Sequence, residues 1–235
     1  MKHIFHPANE RGHNKFSWLD SYHSFSFGHY YDEKKVHFGA LRVLNDDLVA
    51  PGGGFGTHPH DNMEIVSIPL SGALEHRDSM SSHGIIKSGD VQIMSAGTGI
   101  SHSEFNHSQS EEVRFLQIWV FPRRRQLKPR YDQKTFEFAT GKWQVVVDPE
   151  GENGVGIMQD SWFSLFETTE ISDANYQMHK SGNGVYFFVL EGHVKVEELE
   201  LGRRDAAGFW ETDNVQINAK AGSRILAIEV PMELP

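Results

Sequence analysis

The chain has 235 residues, enough for one large β domain or two smaller ones. Its formal net charge of −10 argues against a general nucleic-acid binder, whose electrostatic footprint is basic. The absence of cysteine removes disulfides and thiol chemistry and leaves only nitrogen and oxygen donors for any metal. The opening Met1-Lys2-His3-Ile4-Phe5-His6-Pro7 lacks the apolar core of a signal peptide, and the longest strongly apolar run, near Val185–Leu190, is too short to span a membrane. A cytoplasmic protein without membrane contact is therefore expected.

Taken in order, residues 1 to about 35 are mixed. Ser24-Phe25-Ser26-Phe27 alternates and predicts a strand. His3, His6, His13, His23, His29 and His37 show no ligand pairing and are expected at the surface or in packing, with His29 singled out for proximity to a pocket. Leu41–Leu44 reads as a short strand, and Asn45-Asp46-Asp47 as a turn, because Asn and Asp side chains hydrogen-bond their own backbone.

The next stretch carries the chemistry. Gly52-Gly53-Gly54-Phe55-Gly56 runs into Thr57-His58-Pro59-His60-Asp61-Asn62-Met63-Glu64 and then Ile65-Val66-Ser67-Ile68. His60 and Glu64 are also spaced for one helix face, but Pro59, Pro69, the glycines and the β-branched residues favour a strand. On a continuous strand His58, His60, Glu64, Val66, Ile68 and Leu70 share a face. Pro69 cannot donate to a ladder and predicts a sheet edge or a bulge. A second stretch follows the turn at Gly97-Thr98-Gly99, where His102 and Glu104 again share a strand face. Three imidazoles and one carboxylate, His58, His60, His102 and Glu104, make a four-ligand set for a divalent Fe, Mn, Co, Ni, Cu or Zn ion. A lone histidine is more often an ordinary packed or surface residue; two paired motifs on separate strands outweigh that alternative.

Gly72–His76 starts another strand, Asp78–Gly84 is a polar loop, Gly89-Asp90 turns into Val91–Met94, and Val113–Phe121 is a strong strand with Phe115, Gln117 and Trp119 on one face. Pro122–Arg130 is a basic, proline-bounded connection, read as a solvated linker. Strand patterns then recur at Trp143–Val147, Trp162–Phe166, Val185–Leu190, Val194–Val196, Val215–Ile217 and Ile225–Val230. Val189–Val194 echoes Pro69–Leu74, and Arg224–Pro231 echoes Arg114–Pro122, so two related β domains in tandem are expected. Counting back along the repeat places Met178 and Lys180 at the His-x-His positions and Glu211 and Asp213 at the His-x-Glu positions. His179 lacks a strand-face partner, so the second half is expected to be a degenerate, metal-free copy.

Gly52–Glu64 resembles the first motif of the cupin superfamily, and Gly89–Asn106 the second with two extra residues before His102. Together with Leu41–Asp47, Thr57–Val66, His76–Met80 and Ser95–Glu104, they resemble the pirin family. The resemblance implies an all-β bicupin of two tandem jelly-roll-like barrels with few short helices, divided at 1–125 and 126–235. It implies one metal per chain, usually Fe(II), on His58, His60, His102 and Glu104 of the first barrel, with Glu64 beside the site orienting an imidazole. It further implies a dioxygenase acting on a quercetin-like flavonol and O2, with Glu104 as the base that takes the substrate proton. The alternative is a metal- or redox-sensing interaction protein whose partner is another protein. A sugar-phosphate isomerase is a weaker reading, because the evident basic cluster lies in the linker.

Overall fold

The computed structural model describes residues 1–234, nearly all of them strand, turn or loop, with a single 3-10 turn at Ala8–Glu10. Each half of the chain builds a seven-stranded sheet and a four-stranded sheet, and the strand orders of the two halves correspond one to one. The two large sheets pack against each other through Val66, Ile68, Leu116, Ile118 and Val120 on one side and Tyr186, Phe188, Leu226, Ile228 and Val230 on the other, in one continuous buried cluster. Each such side chain contributes roughly 1.5–3 kcal/mol by leaving water, so this seam is the main support of the two-barrel arrangement. The two related β domains in tandem expected from the repeat are what forms, in the two-barrel arrangement that the resemblance implied.

Two strands are exchanged between the barrels. Lys2–His6 pairs with Ala206–Trp210 of the second barrel, and Arg130–Thr135 pairs with Asp90–Ser95 of the first. A division at residue 125 therefore cuts across both large sheets. The linker is shorter than its composition suggested: Arg123–Gln126 is exposed, but Arg130 already belongs to a strand.

Several local expectations need correction. Ser24–Phe27 is not a strand; the strand is Leu19–His23, and Phe27 only bridges to Tyr30. Asn45-Asp46-Asp47 is no turn but the middle of the nine-residue strand Leu41–Val49, with all three side chains buried. Local propensity loses there because each polar group has a task inside the fold. Asp46 meets Arg11, Arg114 and Arg204, while Asn45 and Asp47 face the interior of the first barrel. Pro69 sits where the register slips between Arg114 and Phe115 of the neighbouring strand, beyond the end of the pairing with Asp90–Ser95, so its missing donor costs the ladder nothing.

Candidate metal centre

The two histidine motifs lie on neighbouring strands of the first barrel's small sheet, Gly54–His60 and Ile100–Asn106. Gly54 allows the approach: a Cβ there would stand 2.5 Å from the Glu104 carbonyl oxygen. The register sets His58 opposite His102 and His60 opposite Ile100, with a slip between His102 and Glu104. Ligand nitrogens of His58, His60 and His102 fall within 4.8 Å of one another, with ring centroids 4.6–4.9 Å apart.

Each ring is prepared to give a lone pair. His58 Nδ1–H donates to the Gly56 carbonyl at 2.8 Å, which leaves its Nε2 free. His102 is buried, and its Nε2 has no partner at all. An orphaned buried acceptor is costly unless something meets it. Burial, reinforced by His58, lowers the His60 pKa to about 4, and burial with His58, His60 and His76 nearby lowers that of His102 to about 2. Imidazole nitrogens without thiolates form a donor set suited to a first-row divalent ion.

Glu104 stands differently. It is buried, its Oε1 accepts from Ser67 Oγ at 2.9 Å and its Oε2 from Gln117 Nε2 at 2.5 Å. Its ligand atoms group with His76 and His102 rather than with the three-histidine set. Burial raises its pKa to about 7, against the lowering effect of its two hydrogen bonds.

Glu64 does not orient an imidazole. The chain breaks at Asp61–Met63, with Asn62 at φ 48°, and resumes in the large sheet as Glu64–Ser71. The single continuous face expected from alternation is thereby split. Glu64 Oε2 accepts from Ser95 Oγ at 2.7 Å and from the Met158 N–H of the second half at 3.1 Å, so it ties the barrels together.

The three histidines and Glu104 line a cavity of about 270 Å³ walled by Trp18, Phe27, Phe55 and Trp119. Ser21, His23, His29, Asn45, Asp47 and Gln117 complete it, and no lysine or arginine does. This removes the clamp a sugar phosphate requires. His29 is at the cavity as singled out. His23, Asn45 and Asp47 were missed because nothing in their local sequence distinguishes a buried polar wall from a turn or a surface residue. His76 also stands beside the site, on a strand paired with His102 and Glu104.

Comparison with known proteins agrees with this architecture. The Pirin family model matches residues 4–120, and a model described as the quercetinase C-terminal cupin domain matches residues 145–230. The chain belongs to the pirin family. Among pirin relatives, a protein of Escherichia coli K12 named quercetin 2,3-dioxygenase is 40% identical over 227 residues, 95% of this chain and 96% of that one. The crystal structure of YhhW from Escherichia coli superposes with a TM-score of 0.94 at 36% identity over 100% of both chains. The structure of bacterial pirin YhhW in complex with nickel(II) gives 0.92 at 37% identity, covering 98% of this chain and 99% of that one.

Proposed function

We propose that this chain is a metal-dependent dioxygenase that opens the heterocycle of a quercetin-like flavonol with O2. The observation that carries the reading is the convergence of three imidazoles, one with an orphaned buried nitrogen, at an aromatic-walled cavity. His58, His60 and His102 would hold one divalent ion, Fe(II) first among the candidates, with Glu104 as the carboxylate at hand. The name of the E. coli relative supplies the substrate class. When bound, the metal supplies Lewis acidity toward a substrate oxygen and an open position for redox chemistry.

The protein's own groups divide the remaining work. Trp18, Phe27, Phe55 and Trp119 exclude water and offer flat faces to an aromatic ligand. Glu104 receives the acidic hydroxyl proton of the flavonol on a carboxylate oxygen, and its pKa near 7 suits a proton acceptor that works at neutral pH. Ser67 and Gln117 keep that carboxylate aimed while it changes charge. Anaerobic loading with one equivalent of metal, followed by oxygen uptake with a flavonol panel, tests the reading. Fully loaded protein that consumes no oxygen with any flavonol would leave the metal-sensing interaction protein as the better account.

A further inference from the structure

Behind His102 lies a pair of side chains that no part of the proposed reaction uses. His76 and Asp78 are fully buried, on the strand Ala73–Asp78 that pairs with Ile100–Asn106. His76 Nε2 lies 3.2 Å from Asp78 Oδ2, and His76 Nδ1 lies 3.4 Å from His102 Nδ1. Tyr131 stacks on the His76 ring at 4.7 Å and holds its plane. Asp78 is itself anchored, with Oδ1 accepting the backbone N–H of Met80 at 2.8 Å and of Ser82 at 2.9 Å.

We propose that Asp78 and His76 form a hydrogen-bond relay that sets the tautomer of His102 and so turns its Nε2 lone pair toward the metal. Asp78 as a carboxylate only accepts, so His76 carries its proton on Nε2. His76 Nδ1 is then an acceptor, so His102 carries its proton on Nδ1 and keeps Nε2 bare. The unpartnered Nε2 of His102 is the end of this chain of consequences. Glu104 does not substitute for the relay, because it makes no hydrogen bond to His76 or His102; its oxygens accept from Ser67 and Gln117. Ligand histidines are commonly oriented through their second nitrogen by a carboxylate or carbonyl; here an imidazole is interposed, which makes the device reversible. Asp78 and His76 are positioning residues, and their role rests on the reading that the three histidines bind a metal.

Asp78→Asn exploits that reversibility. Two backbone N–H groups require an oxygen at Oδ1, so the new amide nitrogen must occupy the Oδ2 place and donate to His76 Nε2. His76 then carries its proton on Nδ1, donates to His102 Nδ1, and forces the His102 proton onto Nε2. Nitrogen-15 NMR of the metal-free protein reads both tautomers directly. Wild type should show His76 protonated at Nε2 and His102 at Nδ1, and Asp78→Asn should exchange both. Titration with Ni(II) should show the variant binding about 10–100-fold more weakly, the usual effect of losing such a partner. His76→Asn and His76→Leu form a matched pair: the Asn Oδ1 replaces the Nδ1 acceptor and Leu has the same shape without it. His76→Asn should bind Ni(II) at least about tenfold more tightly than His76→Leu, a difference a packing role would not produce. If Asp78→Asn fails to fold, this pair decides alone. A wild-type His102 protonated at Nε2, or equal Ni(II) affinity in the matched pair, overturns the relay. Wild-type protein that takes up no Ni(II) defeats the metal reading instead, while the tautomers still decide the relay.

Discussion

The two barrels share a strand order and a register, yet one is hollow and the other is filled. Ladder partners make the positions comparable. Leu74 and His76 pair with Asn106 and Glu104 as Val194 and Val196 pair with Ala219 and Ile217. His102 and Glu104 therefore correspond to Val215 and Ile217, not to Glu211 and Asp213 as counted along the sequence. His58, opposite His102, corresponds to Tyr176, opposite Val215, and His60 to Met178, not to Met178 and Lys180. Ser67, opposite Gln117, corresponds to Phe187, opposite Ala227, and Asp47 to Phe166. Tyr176, Met178, Phe166, Phe187, Val215 and Ile217 all belong to one buried apolar cluster. The same scaffold is stabilised by apolar and aromatic packing in the second barrel and by hydrogen-bonded polar groups around the cavity of the first.

The sharpest way to break this comparison is to remove a ligand. His60→Ala should take the metal content of purified protein from near one per chain to near zero, with the circular dichroism of the metal-free protein unchanged. Retained metal in that variant would remove the asymmetry altogether. Next comes the filled barrel. Phe187 is fully buried, and Phe187→Ala should cost about 3–5 kcal/mol in urea unfolding while metal stoichiometry stays at the wild-type value. A metal content that falls with it would show that the barrels are not separable in function.

Glu104→Gln should retain metal in part and lose flavonol turnover by at least ~10²-fold, the effect of removing a general base. Near-normal activity with full metal would keep the centre and reassign the base. Acid sharpens the contrast. Burial depresses His6, His23 and His60 to about 4 and His102 to about 2, while Asp47 and Glu104 are raised to about 7. Between pH 4.5 and 6.5 the unfolded chain therefore binds extra protons on these four imidazoles, and the folded chain on the two carboxyls. The imidazoles outnumber the carboxyls, so metal-free stability should rise with pH across that window. Above pH 6.5 the carboxyls alone act, and stability should fall slightly as pH passes 7. All but His6 of these groups sit in the first barrel. Hydrogen exchange at pH 5 should show its strands losing protection before those of the second, and equal loss in both would contradict the assignment.

The smallest effect belongs to His179. Its Nδ1–H donates to the Glu229 carboxylate at 2.8 Å, and its ring stacks on Trp162 at 5.1 Å. Glu229 keeps the backbone N–H of His179 and Lys180 and the amide of Asn183 as donors. His179→Ala should lower stability by only about 1 kcal/mol and leave metal stoichiometry untouched.

What the sequence disclosed follows from this division. His-x-His and His-x-Glu stood out because they set paired imidazoles, and an imidazole with a carboxylate, at strand spacing, and the fold does bring His58, His60 and His102 together. The apolar strands of the seam were legible by alternation. The polar wall of the cavity was not, since Asn45 and Asp47 look like turn residues until the sheets enclose them. Glu64 looked like part of the site because its spacing continues the alternation, and only the crossing at Asp61–Met63 shows that it belongs to another sheet. The exact counterparts of the ligands in the second barrel required the ladder register, because the spacing between matching landmarks differs between the halves.

The exchanged strands have a consequence for synthesis. Arg130–Thr135 completes the first barrel's large sheet soon after its last other strand, Val113–Val120, leaves the ribosome. Lys2–His6 must wait for Ala206–Trp210, about 200 residues later, so its place in the sheet is filled only through a contact of very long sequence separation. During that interval the first barrel can assemble while its seam-facing sheet still lacks a partner, and Lys2–His6 stays unpaired until Ala206–Trp210 is made. A tag or truncation at the amino terminus should thus act as a late-stage fault, felt in the closure of the second barrel rather than in the site encoded nearest to it.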